Sequence, residues 1–293
     1  MKRTIAVGFI SSIILVGIFL YQSASLNNGK LNIVFCNVGQ GDAIFIRSPS
    51  GKDILVDAGP NNKVLDCLSR HMPFWDKTIE IAILTHPHSD HLNGFLDVLK
   101  NYKVLSFVTL DLKNNTSSFK AMLESLKEEK INIGFVYEGD RFIFKDGLSI
   151  SIVGPSREFL VKTSPRGLIG ERNEFANVVS LIKFKNFSAL LTGDSQREEL
   201  KEALRLSANW RIAQGKISIL QVPHHGSKTG LTEELLNQAN PKLAVISVGQ
   251  MNKYGHPATE IIELLKNKGI KILRTDEHGE IEISTDGLTW AVK

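Results

Sequence analysis

Seven consecutive residues constrain this chain more than any other feature: Thr85-His86-Pro87-His88-Ser89-Asp90-His91, directly after the apolar run Ile79–Leu84. A strand ending in a tight turn can aim several imidazoles and a carboxylate at one point. Neutral imidazole and ionised carboxylate are the ligands of zinc and similar divalent ions. Packed this closely, such groups cost stability unless a cation satisfies them. Two more apolar runs end the same way. Leu190-Leu191-Thr192-Gly193-Asp194 ends in a carboxylate, and Ile219–Val222 runs into Pro223-His224-His225-Gly226-Ser227. Three strands that deliver ligands at their carboxyl ends describe a site at a sheet edge. Asp194 reads as a ligand rather than only a cap for the helix that follows, and at least one of His224 and His225 as another.

The rest of the chain accommodates such a site. With 42% hydrophobic and 23% charged residues among 293, it has enough apolar side chains for a sizeable core. Disordered, collagenous and disulfide-knot classes are excluded. Strand-like runs recur from Leu31 to Ser284, and helical patterns at Ser117–Lys130, Gln196–Leu206, Thr232–Asn237 and Ala258–Lys268 alternate with them. That rhythm predicts an α/β fold. Residues 155–175, with two Pro and two Gly, read as a long exposed loop near the middle. Cys36 lies in an apolar run and reads as a small core residue rather than half of a disulfide with Cys67.

The amino terminus differs. Lys2 and Arg3 precede Ile5–Tyr21, seventeen residues without charge. Residues 1–25 are predicted to be a signal-anchor, or a signal peptide cut near Ser23-Ala24-Ser25, with 26–30 as linker and 31–293 as the domain. Either reading keeps the two positives inside and sends the domain out of the cytoplasm, held at the membrane or secreted if cleaved. From residue 31 onward, 32 basic side chains face 31 acidic ones. The domain therefore lacks the basic excess of a protein that grips long nucleic acid non-specifically.

Five stretches together carry a family resemblance: Asn37-Val38-Gly39-Gln40-Gly41-Asp42-Ala43; Leu55-Val56-Asp57-Ala58-Gly59; the His cluster; Leu191-Thr192-Gly193-Asp194; and Pro223–Ser227 with Asn252-x-Tyr254-Gly255-His256-Pro257. They resemble the metallo-β-lactamase superfamily, and within it the extracytoplasmic hydrolase domain of ComEC-type competence proteins, which take up DNA. The resemblance implies a four-layer αβ/βα sandwich after the N-terminal membrane or signal segment, with one or two divalent ions (Zn, or Mn or Fe) between the sheet edges. It assigns His86 and His88 to one ion and Asp90 and His91 to a second. Asp194 would bridge them, and His225 or His224 would complete the second site, with His225 favoured because Gly226 frees the turn. A histidine usual in the superfamily between the cluster and the bridging Asp is missing, since none occurs between His91 and His224.

Asp57 would orient a ligand histidine, and Asp90 and His256 are the candidate catalytic groups. Ser227, Lys228 and Asn252 would hold phosphate oxygens. The implied activity is hydrolysis of a phosphodiester, DNA or RNA, by a metal-held hydroxide. The alternatives are a cell-envelope phosphoester hydrolase of phosphocholine or teichoic-acid type, and a non-catalytic partner of a DNA-uptake machine.

Overall fold

The computed structural model describes residues 2–26, 28–170, 176–206 and 217–293. An apolar helix, α1 (Lys2–Leu26), precedes the domain, so the helix runs one residue past the expected anchor boundary. The chain then lays down β1 (Leu31–Phe35), β2 (Ile44–Arg47), β3 (Asp53–Val56), β4 (Ile81–Ile83), β5 (Phe107–Thr109) and β6 (Ile133–Phe135). A second sheet follows: β7 (Arg141–Ile143), β8 (Leu148–Gly154), β9 (Val179–Phe184), β10 (Phe187–Leu191), β11 (Ile219–Gln221), β12 (Leu243–Ile246) and β13 (Lys271–Arg274). The chain returns to the first sheet with β14 (Ile281–Thr285) and β15 (Trp290–Val292). Strand orders are β15-β14-β1-β2-β3-β4-β5-β6 and β13-β12-β11-β10-β9-β8-β7.

Successive strand residues point to opposite faces, and here both faces are covered. Ile33, Ile46, Ile54 and Ile83 meet Ile150, Ile182, Ile219 and Val245 of the other sheet in one core. Their neighbours Val34, Phe45, Leu55 and Ala82 turn outward onto helices Lys63–His71, Phe95–Asn101 and Ser117–Glu128. Leu181, Leu190, Leu220 and Ala244 do the same on the far side, against Arg197–Leu206, Glu233–Ala239 and Thr259–Asn267. Helix, sheet, sheet, helix is the expected four-layer sandwich. Side-chain caps fix helix starts where the sequence offers hydroxyls: Thr116 accepts from the Phe119 N–H and Thr232 from that of Leu235.

Three expectations are corrected. Cys36 and Cys67 are joined in a disulfide, which ties the end of β1 to the helix Lys63–His71. An apolar setting was read as a reason against pairing, yet both residues are buried and face one another in the same core. The proposed loop 155–175 holds a helix, Arg157–Thr163, capped by Ser156 and burying Phe159 and Leu160. Residues 171–175 of that stretch lie outside the described ones. The run Ile79–Leu84 is not one strand. Thr78–Ile79 pairs with Lys103–Val104 in a separate small ribbon, and β4 begins only after Glu80. The break lets Glu80 turn back, where its carboxylate accepts the Asp53 backbone N–H.

Candidate metal centre

All the donor-bearing turns lie at carboxyl ends of strands, β1, β3 and β4 in the first sheet and β10, β11 and β12 in the second. Asp57 follows β3 and is buried, with φ of 57°, a backbone state that Asp tolerates better than most residues. One of its oxygens accepts the Thr85 N–H at 2.8 Å. The other accepts the Thr85 hydroxyl at 2.7 Å and lies 2.7 Å from His91 Nδ1. Asp57 therefore holds the His91 ring by Nδ1 and leaves its Nε2 aimed at Asp194 (3.5 Å) and Asp90 (3.9 Å).

Asp194 is the meeting point. Its Oδ1 lies 3.3 Å from His225 Nε2, and its Oδ2 lies 3.5 Å from His91 Nε2, 3.6 Å from His224 Nε2 and 3.9 Å from His86 Nε2. His86 Nε2 is in turn 2.9 Å from His88 Nδ1. Asp90 closes the other side, 3.6 Å from His225 Nε2. Asp90 thus lies with His91 and His225, while His86 and His224 share Asp194 Oδ2 with His91, and His88 joins the group through His86.

Of the adjacent histidines, His225 is the one beside Asp90, 3.6 Å away, and His224 approaches Asp194 from the cleft. His224 and His225 both have positive φ, 52° and 55°, in a tight turn. Both rings therefore come to Asp194, His225 deeply (3% exposed) and His224 from the cleft side (27% exposed). His225 is oriented by its Nδ1, 2.9 Å from the Ser247 carbonyl. Gly226, with φ of 81°, lies against Pro257, where a Cβ would fall 2.5 Å from the proline ring.

Asp42 is a buried carboxylate that the sequence reading left without a role. It lies 3.9 Å from Nδ1 of both His91 and His225, behind the rings. Gln221 donates to it at 2.9 Å, while the Gln221 amide oxygen accepts the Thr192 and Gly193 N–H groups. Gly41 makes this possible, since a Cβ there would sit 2.2 Å from the Asp90 carbonyl oxygen. The signal was present in Gly39-Gln40-Gly41-Asp42, one of the stretches that carry the family resemblance.

The electrostatics ask for a cation. Burial works against protonating His91, but the Asp194, Asp57 and Asp90 carboxylates outweigh it and raise its pKa well above the usual imidazole value. Burial is likewise outweighed at His225, where Asp194 and Asp42 raise the pKa to about 9. His86 goes the other way: burial, then repulsion from His91, push it well down. Asp194 is held well below the carboxylate range because His225 and His91 outweigh its burial. Burial lifts Asp42 to about 6 despite both histidines. The carboxylates thus favour positive charge in their midst. His91 Nε2, His225 Nε2 and Asp194 Oδ1 are buried without hydrogen-bond partners. Convergent orphaned donor atoms of this kind fit a divalent ion.

The remaining candidates separate. His88, Asp90, Asp194, His224, His225 and His256 line one open cleft of about 360 Å³. His256 stands at its rim, its ring 5.9 Å from that of His224 and stacked on Tyr254. Asn252, expected to touch phosphate, instead spends its amide on its own loop. It donates to the Gly249 and His256 carbonyls and accepts the His256 N–H, which holds His256 in place. Lys228 is likewise corrected. It pairs with Glu260 at the surface, away from the cleft lining. Ser227 is nearly buried, 3.1 Å from the Thr229 hydroxyl. Consecutive positions in a turn diverge, so following the His pair in sequence did not bring these two to the cleft.

This sandwich, with its ligand set between two sheet edges, is the metallo-β-lactamase fold, the scaffold of metal-dependent hydrolases. The sequence pattern of the metallo-beta-lactamase superfamily matches residues 36–161. Among curated proteins, the chain is similar to ComE operon protein 3 of Bacillus subtilis, 28% identical over 96% of this chain and 36% of that protein. It is also similar to Recombination protein 2 of Haemophilus influenzae, 27% identical over 85% of this chain and 28% of that one. The chain thus spans about a third of the length of these relatives. Among solved structures, the metallo-beta-lactamase fold protein YhfI of Bacillus subtilis superposes with a TM-score of 0.54 at 11% identity, covering 86% of this chain and 99% of the other.

Proposed function

We propose that the chain is an extracytoplasmic, metal-dependent phosphodiester hydrolase whose substrate is a DNA or RNA strand. One observation carries the reading: His86, His91, His224 and His225, drawn from both sheets, converge on the Asp194 carboxylate beside Asp90, in the lining of an open cleft. Divalent ions held there would activate water and offset charge on both the attacking and the leaving oxygen at the phosphorus of a phosphodiester. The chain's own part is to fix those donors. Asp57 and the Ser247 carbonyl orient His91 and His225, and Asp42 places negative charge behind both rings. His256, at the cleft rim beside His224, is placed to give a proton to a leaving oxygen.

Similarity to Recombination protein 2 supports nucleic acid as the polymer. Export is supported by Lys2 and Arg3 before an uncharged run and by the Cys36–Cys67 disulfide, a bond that persists in oxidising compartments. The near balance of 32 basic and 31 acidic residues supports a second reading, a small envelope phosphoester. The test is the full chain in detergent, loaded with Zn²⁺ or Mn²⁺ and offered single-stranded DNA, RNA and a p-nitrophenyl phosphodiester. Cleavage of a polymer, abolished in Asp194→Asn with circular dichroism unchanged, is the expected result. Full activity of Asp194→Asn, or turnover of the small ester alone, refutes the first reading.

A further inference from the structure

The end of α1 is not free of the domain. The Phe19 ring lies 4.4 Å from that of Trp75, the Gln22 side-chain oxygen accepts the Phe74 N–H at 3.1 Å, and the Arg47 guanidinium donates to the Leu26 carbonyl at 3.3 Å. Arg47 is itself fixed by two bonds to the buried Asp53 carboxylate, at 2.6 and 2.8 Å. Beside this joint the domain presents large apolar side chains to solvent. Phe74 is 54% exposed and Trp75 38%, packed edge to face, with Leu105 at 51% on the adjoining ribbon. Lys77 and Lys103 sit on that same ribbon, where the Lys103 N–H donates to the Lys77 carbonyl. Aromatic residues flanked by lysines are the composition that anchors proteins at the lipid–water boundary.

The position along α1 agrees. At 1.5 Å per residue, Ile5–Tyr21 spans roughly 25 Å of the ~30 Å hydrocarbon layer. Phe19, and therefore Trp75 packed against it, lies at the edge of that layer. Strand direction gives the consequence. Arg47 pairs in register with both Asn32 and Asp53, so it marks one end of the sheet. β1 and β3 run away from that end toward Asp42 and Asp57, and four residues of strand separate Asp53 from Asp57, about 13 Å. The joint and the cleft occupy opposite ends of the first sheet.

We infer that the loop Pro73–Lys77, together with Leu105, is a lipid-contact surface that seats the domain on the bilayer spanned by α1, with the cleft turned away from that bilayer. The occupant is the interfacial layer of a phospholipid membrane, and α1 already lies against the same aromatic pair. A cleft held this way takes its substrate from water, as a strand or other soluble phosphodiester, and not from headgroups of the lipids beneath it. The inference rests on α1 being retained as an anchor, which the intact mass of the membrane-extracted chain reports separately. It needs no hydrolytic activity, so it stands or falls apart from the proposed reaction.

The experiment uses the full chain in phosphatidylcholine–phosphatidylglycerol vesicles. Both native cysteines are in the disulfide, so a single nitroxide can be attached in Phe74→Cys or, beside the cleft, in Asn115→Cys. The expected result is a ratio of oxygen to aqueous nickel-complex collisions several-fold higher at position 74 than at 115. A label-free companion is quenching of Trp75 by brominated phosphatidylcholine in a chain carrying Trp210→Phe and Trp290→Phe, with quenching expected. Equal nickel access at 74 and 115, lipid contact at 115, or unquenched Trp75 emission overturns the inference, as does an intact mass showing that α1 has been removed.

Discussion

Replacing Asp57 by Asn changes two atoms and tests how the site prepares a ligand. Asn adopts positive φ as readily as Asp, so the 57° backbone at this position is retained. The Thr85 N–H can only donate, so the amide oxygen of the variant must face it, where Oδ1 now accepts at 2.8 Å. The amide nitrogen then takes the place of Oδ2, 2.7 Å from His91 Nδ1. That nitrogen of the ring must now accept, and the ring proton moves to Nε2, the atom facing Asp194 and Asp90. The lone pair that a metal would use is lost, or is regained only by breaking the new bond. Loss of a residue that orients a ligand histidine typically costs 10–100-fold in metal affinity, about 1.4–2.8 kcal/mol. Competition between the protein and a chromophoric chelator for Zn²⁺ measures it directly. The expected result is weaker binding by that factor with circular dichroism unchanged. Unaltered affinity in Asp57→Asn would mean that His91 is not a ligand through Nε2, and the chain of reasoning from Asp57 to the metal would fail.

Three further outcomes are expected. His225→Ala should lower the number of ions bound, because His225 is buried between Asp90 and Asp194, and His224→Ala should weaken only the ion on the His86–His88 side; ion counts by mass spectrometry under native conditions that match the wild type in both variants would contradict this. Replacing both Cys36 and Cys67 by Ala should cost roughly 3–4 kcal/mol in urea unfolding, the chain-entropy value for a loop closed across a sequence separation of 31, and an unchanged midpoint would show that the bond does not constrain the unfolded chain. Glu280, although burial pushes its pKa up, is brought down to about 2 by hydrogen bonds from His71 and Arg70; a carboxylate with a depressed folded pKa adds stability above its unfolded value near 4.5 that is lost as pH falls toward 2, so Glu280→Gln should differ from wild type at pH 6 and converge with it by pH 2, whereas a difference independent of pH would rule the pairing out.

Strands were readable wherever a sheet is covered on both faces, because burial on both sides demands an uninterrupted apolar run such as Leu243–Ile246. Their ends were less readable. Nothing in Ile79–Leu84 shows that Glu80 leaves the strand, since the cause is a hydrogen bond to Asp53 far away in sequence. The helix Arg157–Thr163 was hidden by its Pro- and Gly-rich surroundings, although Ser156 and the apolar pair Phe159–Leu160 already spelled a capped amphipathic turn. The disulfide was illegible because pairing depends on where β1 and the following helix pack, not on either cysteine's neighbours.

The site divides in the same way. His86, His88, Asp90, His91 and Asp194 were readable because they crowd into the short segments that directly follow apolar strands. His224 and Asp42 could not, because each depends on a turn: two successive residues at positive φ in one case, a glycine pressed against the Asp90 carbonyl in the other. Those turns also join the halves. The Gln221 amide of the second sheet donates to Asp42 of the first, the Gly249 N–H donates to Gln40, and the Val178 N–H donates to the Thr85 carbonyl. Donors from one sheet, His86, His88, Asp90 and His91, meet Asp194, His224 and His225 from the other only when these bonds have formed. Metal binding is therefore coupled to docking of the two sheets, and an ion held across the seam stabilises the sandwich as a whole.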